Sequence, residues 1–162
     1  MPTLFAHGIA AELATGFEGR IFKRQGSGVE VANPVAQFAT FPLPDDVGDF
    51  GGGAVNLMGN DDIFAVLFEY GPDSVGTPLF AHVGLPRPLS TTHFQPHVLR
   101  RGLTGQSGTQ WFFTENGRPF TLYVVLGSHA RRALLVPRVN RLLDGLTVEP
   151  APVPVAPGAP WN

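Results

Sequence analysis

Two imidazoles stand four residues apart in His93-Phe94-Gln95-Pro96-His97, the spacing at which one face of a helix can hold a metal ion. Pro96 lies between them and opposes a helix there. The chain has no cysteine to complete a thiolate site, and no carboxylate follows nearby, so the pair reads as two loop histidines. His7, His82 and His129 are isolated and read the same way. Asp45, Asp46, Asp49, Asp61 and Asp62 border a glycine-rich loop, and clustered aspartates suit calcium. The run Asp-Asp-Val-Gly-Asp matches no calcium loop, however, and turn chemistry accounts for aspartate beside glycine. What remains is a locally acidic surface.

Gly51-Gly52-Gly53 precedes a short helical turn, an anion site only in outline. The dinucleotide fingerprint and the P-loop pattern are both missing, and no lysine follows. Gly105-Gln106-Ser107-Gly108 approaches the hydrolase elbow without matching Gly-x-Ser-x-Gly, and Ser107 leads into a strand. Ser128 and His129 are adjacent, which sends their side chains in different directions and supports no proton relay. The residue types therefore assemble no catalytic group, no metal set and no cofactor fingerprint. The expectation is a non-enzymatic chain that needs no cofactor.

The elements that would position these residues are legible in parts. Asn116-Gly117 between Thr109–Glu115 and Arg118–Leu126 is a strong hairpin signal, because a type I′ turn needs positive φ at both positions. A two-residue loop fixes the register: Glu115 faces Arg118, Phe113 faces Phe120, Trp111 faces Leu122, Phe112 faces Thr121 and Gln110 faces Tyr123. Glu115 and Arg118 are expected to form a charge pair beside the turn. Pro119 donates no ladder hydrogen bond, so its end of the strand requires a free edge or a bulge.

Upstream, Phe17 to Arg24 and Val35 to Phe41 read as neighbouring antiparallel strands. Ile63 to Tyr70 is apolar on both faces and predicts a strand covered on both sides. Ala54 to Met58 suggests one helical turn. Residues 72 to 108 are broken by Pro78, Pro86, Pro88 and Pro96, and Ser90 to Phe94 fits either a short helix or a strand. Val136, Val139, Leu142, Leu143 and Leu146 recur near helical spacing. Pro137 either opens that helix or kinks one beginning near Ala130, Gly145 caps it, and Leu146-Thr147-Val148 forms a last short strand.

The chain has 162 residues, 43% hydrophobic and 15% charged, with net charge −2 and pI near 6.2. This balance excludes intrinsic disorder and a strongly basic nucleic-acid binder. Twenty Gly and sixteen Pro leave little room for long helices. The expected class is α+β: an antiparallel sheet with a C-terminal hairpin–helix–strand unit. Residues 1–149 form one globular domain, and 150–162 form a Pro-rich extended tail that could reach about 40 Å as polyproline II. Met1 to His7 lacks the charged start and apolar core of a secretory signal, and no apolar run is long enough to span a bilayer. A soluble, cytoplasmic protein without membrane insertion is expected.

The segment Trp111 to Val148, carrying Phe112-Phe113-Thr114-Glu115-Asn116-Gly117 and the apolar strand after it, resembles the closing unit of Mog1/PsbP-like domains. Those domains are α/β/α sandwiches around an antiparallel sheet. The resemblance implies a non-catalytic accessory subunit or binding module and carries over no functional residues. The expected function is thus protein–protein contact within a larger assembly, or homo-oligomer formation through the hairpin edge. Trp161 has no local core in the tail to hide it, so it either packs back on its own domain or, with Pro154, Pro157 and Pro160, forms the expected partner-binding segment. The alternative is a small-ligand pocket or an uncharacterised enzyme near residues 72–108, with His93, His97, Arg100 and Arg101 supplying polar groups.

Overall fold

In a computed structural model, which describes residues 2–23, 33–44, 54–98 and 105–151, side-chain alternation in the central strands creates two cores, one on each face of a sheet. Strands β3 (Glu18–Lys23), β4 (Pro34–Ala39), β5 (Ile63–Glu69), β6 (Ser107–Glu115) and β7 (Arg118–Leu126) pair antiparallel in the order β3-β4-β5-β7-β6. Ile63, Ala65 and Leu67 of β5 point to one face; Phe64, Val66 and Phe68 point to the other. The first face carries Ala36, Phe38, Leu122, Val124 and Leu126 and meets helix α1 (Arg132–Asp144) through Leu135, Val139 and Leu142. The second face packs Val35, Ala39, Phe64 and Val125 beneath Phe41, Ala54 and Val55. The two-faced apolar character of Ile63–Tyr70 is thereby explained.

The β6–β7 hairpin has the register set by its Asn116-Gly117 turn, with φ of 51° and 76°. The expected Glu115–Arg118 charge pair does not form. The Arg118 side chain instead reaches Glu69 on the adjacent strand β5, because Glu69 sits opposite Phe120, two residues along β7, and offers a desolvated carboxylate. Glu115 accepts a hydrogen bond from Leu85 N at 2.5 Å. β5 ends at Glu69, so the missing donor of Pro119 falls beyond the ladder, while its carbonyl accepts from Tyr70 N at 2.8 Å.

A second hairpin, β1 (Thr3–Ala6) and β2 (Ile9–Glu12), turns at His7-Gly8 with φ of 53° and 75°, nearly the angles of Asn116-Gly117. β2 pairs on its other edge with β8 (Leu146–Val148), giving a separate three-stranded sheet β1-β2-β8. Ile9, Ala11, Leu146 and Val148 add this small sheet to the first-face core. Among the described residues α1 is the one α-helix, so the fold is mostly sheet with little helix, within the broad α+β class. No helix among them is long and apolar enough to cross a membrane.

Pro137 lies inside α1, five residues past its start, so of the two alternatives the helix does not open on Pro137 but begins near Ala130, at Arg132 after the N-cap Arg131. Gly145 caps the helix in a right-handed conformation, its N–H shared by the carbonyls of Leu142 and Leu143. A Cβ there would lie 2.3 Å from the Glu12 carbonyl oxygen, which makes close approach, not conformational freedom, the reason for glycine. The helical turn expected over Ala54 to Met58 is the 3-10 turn Val55–Leu57, and the segment Ser90 to Phe94, open between helix and strand, holds another, Thr91–His93.

Candidate functional site

Residues 72 to 98 form an arm laid across the outer edge of β6, and its polar bonds explain why so proline-rich a stretch holds one course. Four 3-10 turns punctuate it, Pro72–Ser74, Pro78–Phe80, Thr91–His93 and Pro96–Val98, three of them started by proline. Phe80 is buried in a ring cluster with Tyr70 (5.1 Å) and Phe112 (5.8 Å). Thr114 then fastens the chain three times: its hydroxyl donates to Phe80 O, its N–H donates to His82 O, and its carbonyl accepts from Gly84 N, each at 2.8 Å. Gln95 and Gly108 exchange two backbone bonds of 2.9 and 3.1 Å. The β6 edge that a partner strand would need is therefore engaged at both ends by the arm.

The arm is also tied to α1. The Asn140 side chain donates to Leu89 O and accepts from Leu89 N, at 2.9 and 2.8 Å. Arg87 donates to Leu143 O and Leu146 O at the helix C-terminus, where a cation meets the negative end of the helix dipole. Leu85, Leu89 and Phe94 point into the first-face core.

Pinned on that side, the arm turns other apolar side chains outward. Val83 is 80% exposed, Leu79 57% and Val75 39%, half of the six exposed large hydrophobics among the described residues. Single exposed hydrophobics are ordinary, but three fall within nine residues of this one arm. Beside it Trp111 is half-buried between the imidazoles of His82 (6.3 Å) and His93 (5.0 Å, edge to face). The Trp111 indole N–H is buried without a hydrogen-bond partner. His93 Nδ1 accepts from Ser90 N at 3.0 Å, closing the turn before it.

The residues singled out for chemistry are dispersed. His93 and His97 fall on separate 3-10 turns, as Pro96 requires. No group of three or more His, Asp or Glu side chains able to hold a metal occurs among the described residues. Asp62 binds Gly59 N and the Thr40 hydroxyl, both at 2.8 Å, a turn role; Asp61 pairs with Arg131 at 2.6 Å on the surface. Asp45, Asp46, Asp49, Gly51 to Gly53, Arg100, Arg101, Pro154, Pro157, Pro160 and Trp161 lie outside the described residues.

The structure also joins residues that the sequence left apart. Ser107 Oγ and His129 Nδ1 are 2.8 Å apart, a pairing that adjacent Ser128 and His129 could not make. Ser107 is fully buried, so this bond fastens the start of β6 to the loop after β7. Partial burial, and secondarily the Arg132 cation, hold the His129 imidazole below its ordinary pKa of 6.5. Arg118 forms a larger knot: it bonds both Glu69 carboxylate oxygens (2.9 and 2.7 Å) and donates to the carbonyls of His7 (2.9 Å), Glu149 (3.2 Å) and Gly8 (3.3 Å). Its guanidinium lies 5.4 Å from the Phe120 ring centroid. This knot links the small sheet to the large one.

A shallow groove of about 330 Å³ opens elsewhere, between the β2–β3 connection and the last turns of α1. Glu12, Phe17, Arg138, Arg141, Asp144 and Gly145 line it. The pocket expected near 72–108 is thus not where this hollow lies, and neither His93 nor His97 borders it. No protein-family model, curated protein or solved structure matches the chain.

Proposed function

We propose that this protein is a non-enzymatic accessory or structural component that works through protein–protein contacts in a larger assembly. The observation that carries the reading is the exposure of Val75, Leu79 and Val83 on an arm whose backbone is fastened to β6 and α1. A pre-ordered apolar surface loses little conformational entropy on binding, and burying what remains exposed of each side chain would contribute about 0.5–2.5 kcal/mol. A partner with its own apolar surface fits. The Mog1/PsbP-like likeness of Trp111–Val148 points to the same accessory role, and the proline-rich segment carrying Trp161 supplies a second contact.

The test is affinity purification from the native cell with wild type, Leu79→Ser/Val83→Ser, and a chain ending at Ala151, all shown by circular dichroism to be folded. A partner held by wild type and lost from the double variant is the expected result. Equal recovery of every co-purifying protein by all three chains overturns the proposal.

A further inference from the structure

We propose that the groove beside the C-terminal end of α1 binds a small zwitterion whose two charges are separated by about 4.5–9 Å, an ω-amino acid or a short peptide in chemical class. This rests on the groove alone and is independent of the arm. Charges of both signs rim the hollow: Arg138 and Arg141 on one part, Asp144 and Glu12 on the other. Among the described residues none of the four forms an ion pair, although opposite charges share one cavity. Arg138 is held in place by the Phe17 ring, 6.0 Å from its guanidinium carbon, and by a 3.3 Å bond to Asp61 O.

Helix stability does not explain Asp144. A carboxylate in the last turn faces the negative end of the helix dipole, an unfavourable place for it. With Glu12 alongside, that end of the groove attracts a cation. Arg141 and Arg138 branch from α1 three and six residues back, about 4.5 and 9 Å of axial rise from the Asp144 backbone, and their guanidiniums recognise a carboxylate through paired N–H donors. Phe17 lines the hollow and gives an aliphatic spacer an apolar surface. An ammonium at Asp144 and Glu12, with a carboxylate at Arg141 or Arg138, uses all four groups. An α-amino acid is too short to do so.

The experiment is an NMR titration of the ¹⁵N-labelled full chain with 5-aminopentanoate, and with glycine, pentanoate and pentylamine as comparators. Saturable shifts at the Thr15 and Gly145 amides with 5-aminopentanoate are expected, with each comparator at least about tenfold weaker. Arg141→Gln and Asp144→Asn, both at exposed positions, should each weaken binding about tenfold or more while the rest of the spectrum reports an intact fold. Absence of saturable shifts, equal binding of a singly charged comparator, or unchanged affinity in either variant overturns the proposal.

Discussion

Replacing Arg118 by methionine should be among the most damaging single changes available in the described core. The side chain is 8% exposed and its partner Glu69 13%. Methionine fills similar volume but strands the Glu69 carboxylate and takes the donor from the carbonyls of His7, Gly8 and Glu149. Removing one partner of a buried pair costs about 3–5 kcal/mol, and the residual exposure of Glu69 places this case near 3. For a chain of this size that is a fall in Tm of roughly 6–12 °C. The double variant Glu69→Leu/Arg118→Met removes the stranded charge and should recover about 1–3 kcal/mol relative to Arg118→Met. Urea denaturation followed by circular dichroism of wild type, Glu69→Leu, Arg118→Met and the double variant closes the double-mutant cycle. A loss under about 1 kcal/mol for Arg118→Met, or a double variant equal to the sum of its singles, would refute the account of this knot.

Two further outcomes follow from side chains and close contacts already described. His129 has a folded pKa below its unfolded value of 6.5, so the unfolded chain binds the proton more readily. Its stabilising contribution is present in full above 6.5 and is lost as pH falls through the folded value. The urea midpoint should drop from about pH 8 to about pH 5, and His129→Gln should flatten that slope; an unchanged slope would sink the assignment. Gly145→Ala, with no strained φ to blame, places a methyl 2.3 Å from Glu12 O and should cost about 1–3 kcal/mol by overpacking; a neutral result in thermal melts would show that β2 and the helix end separate easily.

What could be read from the sequence was local. The Asn116-Gly117 turn dictates its register within a few residues of chain, and the two-faced apolar run at Ile63–Tyr70 states its own burial. His7-Gly8 adopts the same turn but gives a weaker signal, since histidine reaches positive φ less readily than asparagine. The destination of Arg118 was hidden because Glu115 is its nearest acid in sequence, whereas Glu69 is nearest in space only after β5 and β7 have paired. The same holds for Ser107 with His129 and for Leu89 with Asn140. The arm defeated pattern reading because its course is set by side chains of β6 and α1, not by periodicity within residues 72–98. The groove was equally invisible, being assembled from Glu12, Phe17 and a helix more than a hundred residues later.

The pairing of Ile9 with Val148 has a kinetic consequence. Closing so long a loop costs more entropy than forming either hairpin, so β2 gains its second neighbour only after most of the polypeptide has been organised. On the ribosome the early hairpin emerges with the outer edge of β2 unsatisfied, and that edge waits for Leu146–Val148 to be synthesised. That interval, more than any moment in the finished molecule, is when this chain is open to pairing with another copy of itself.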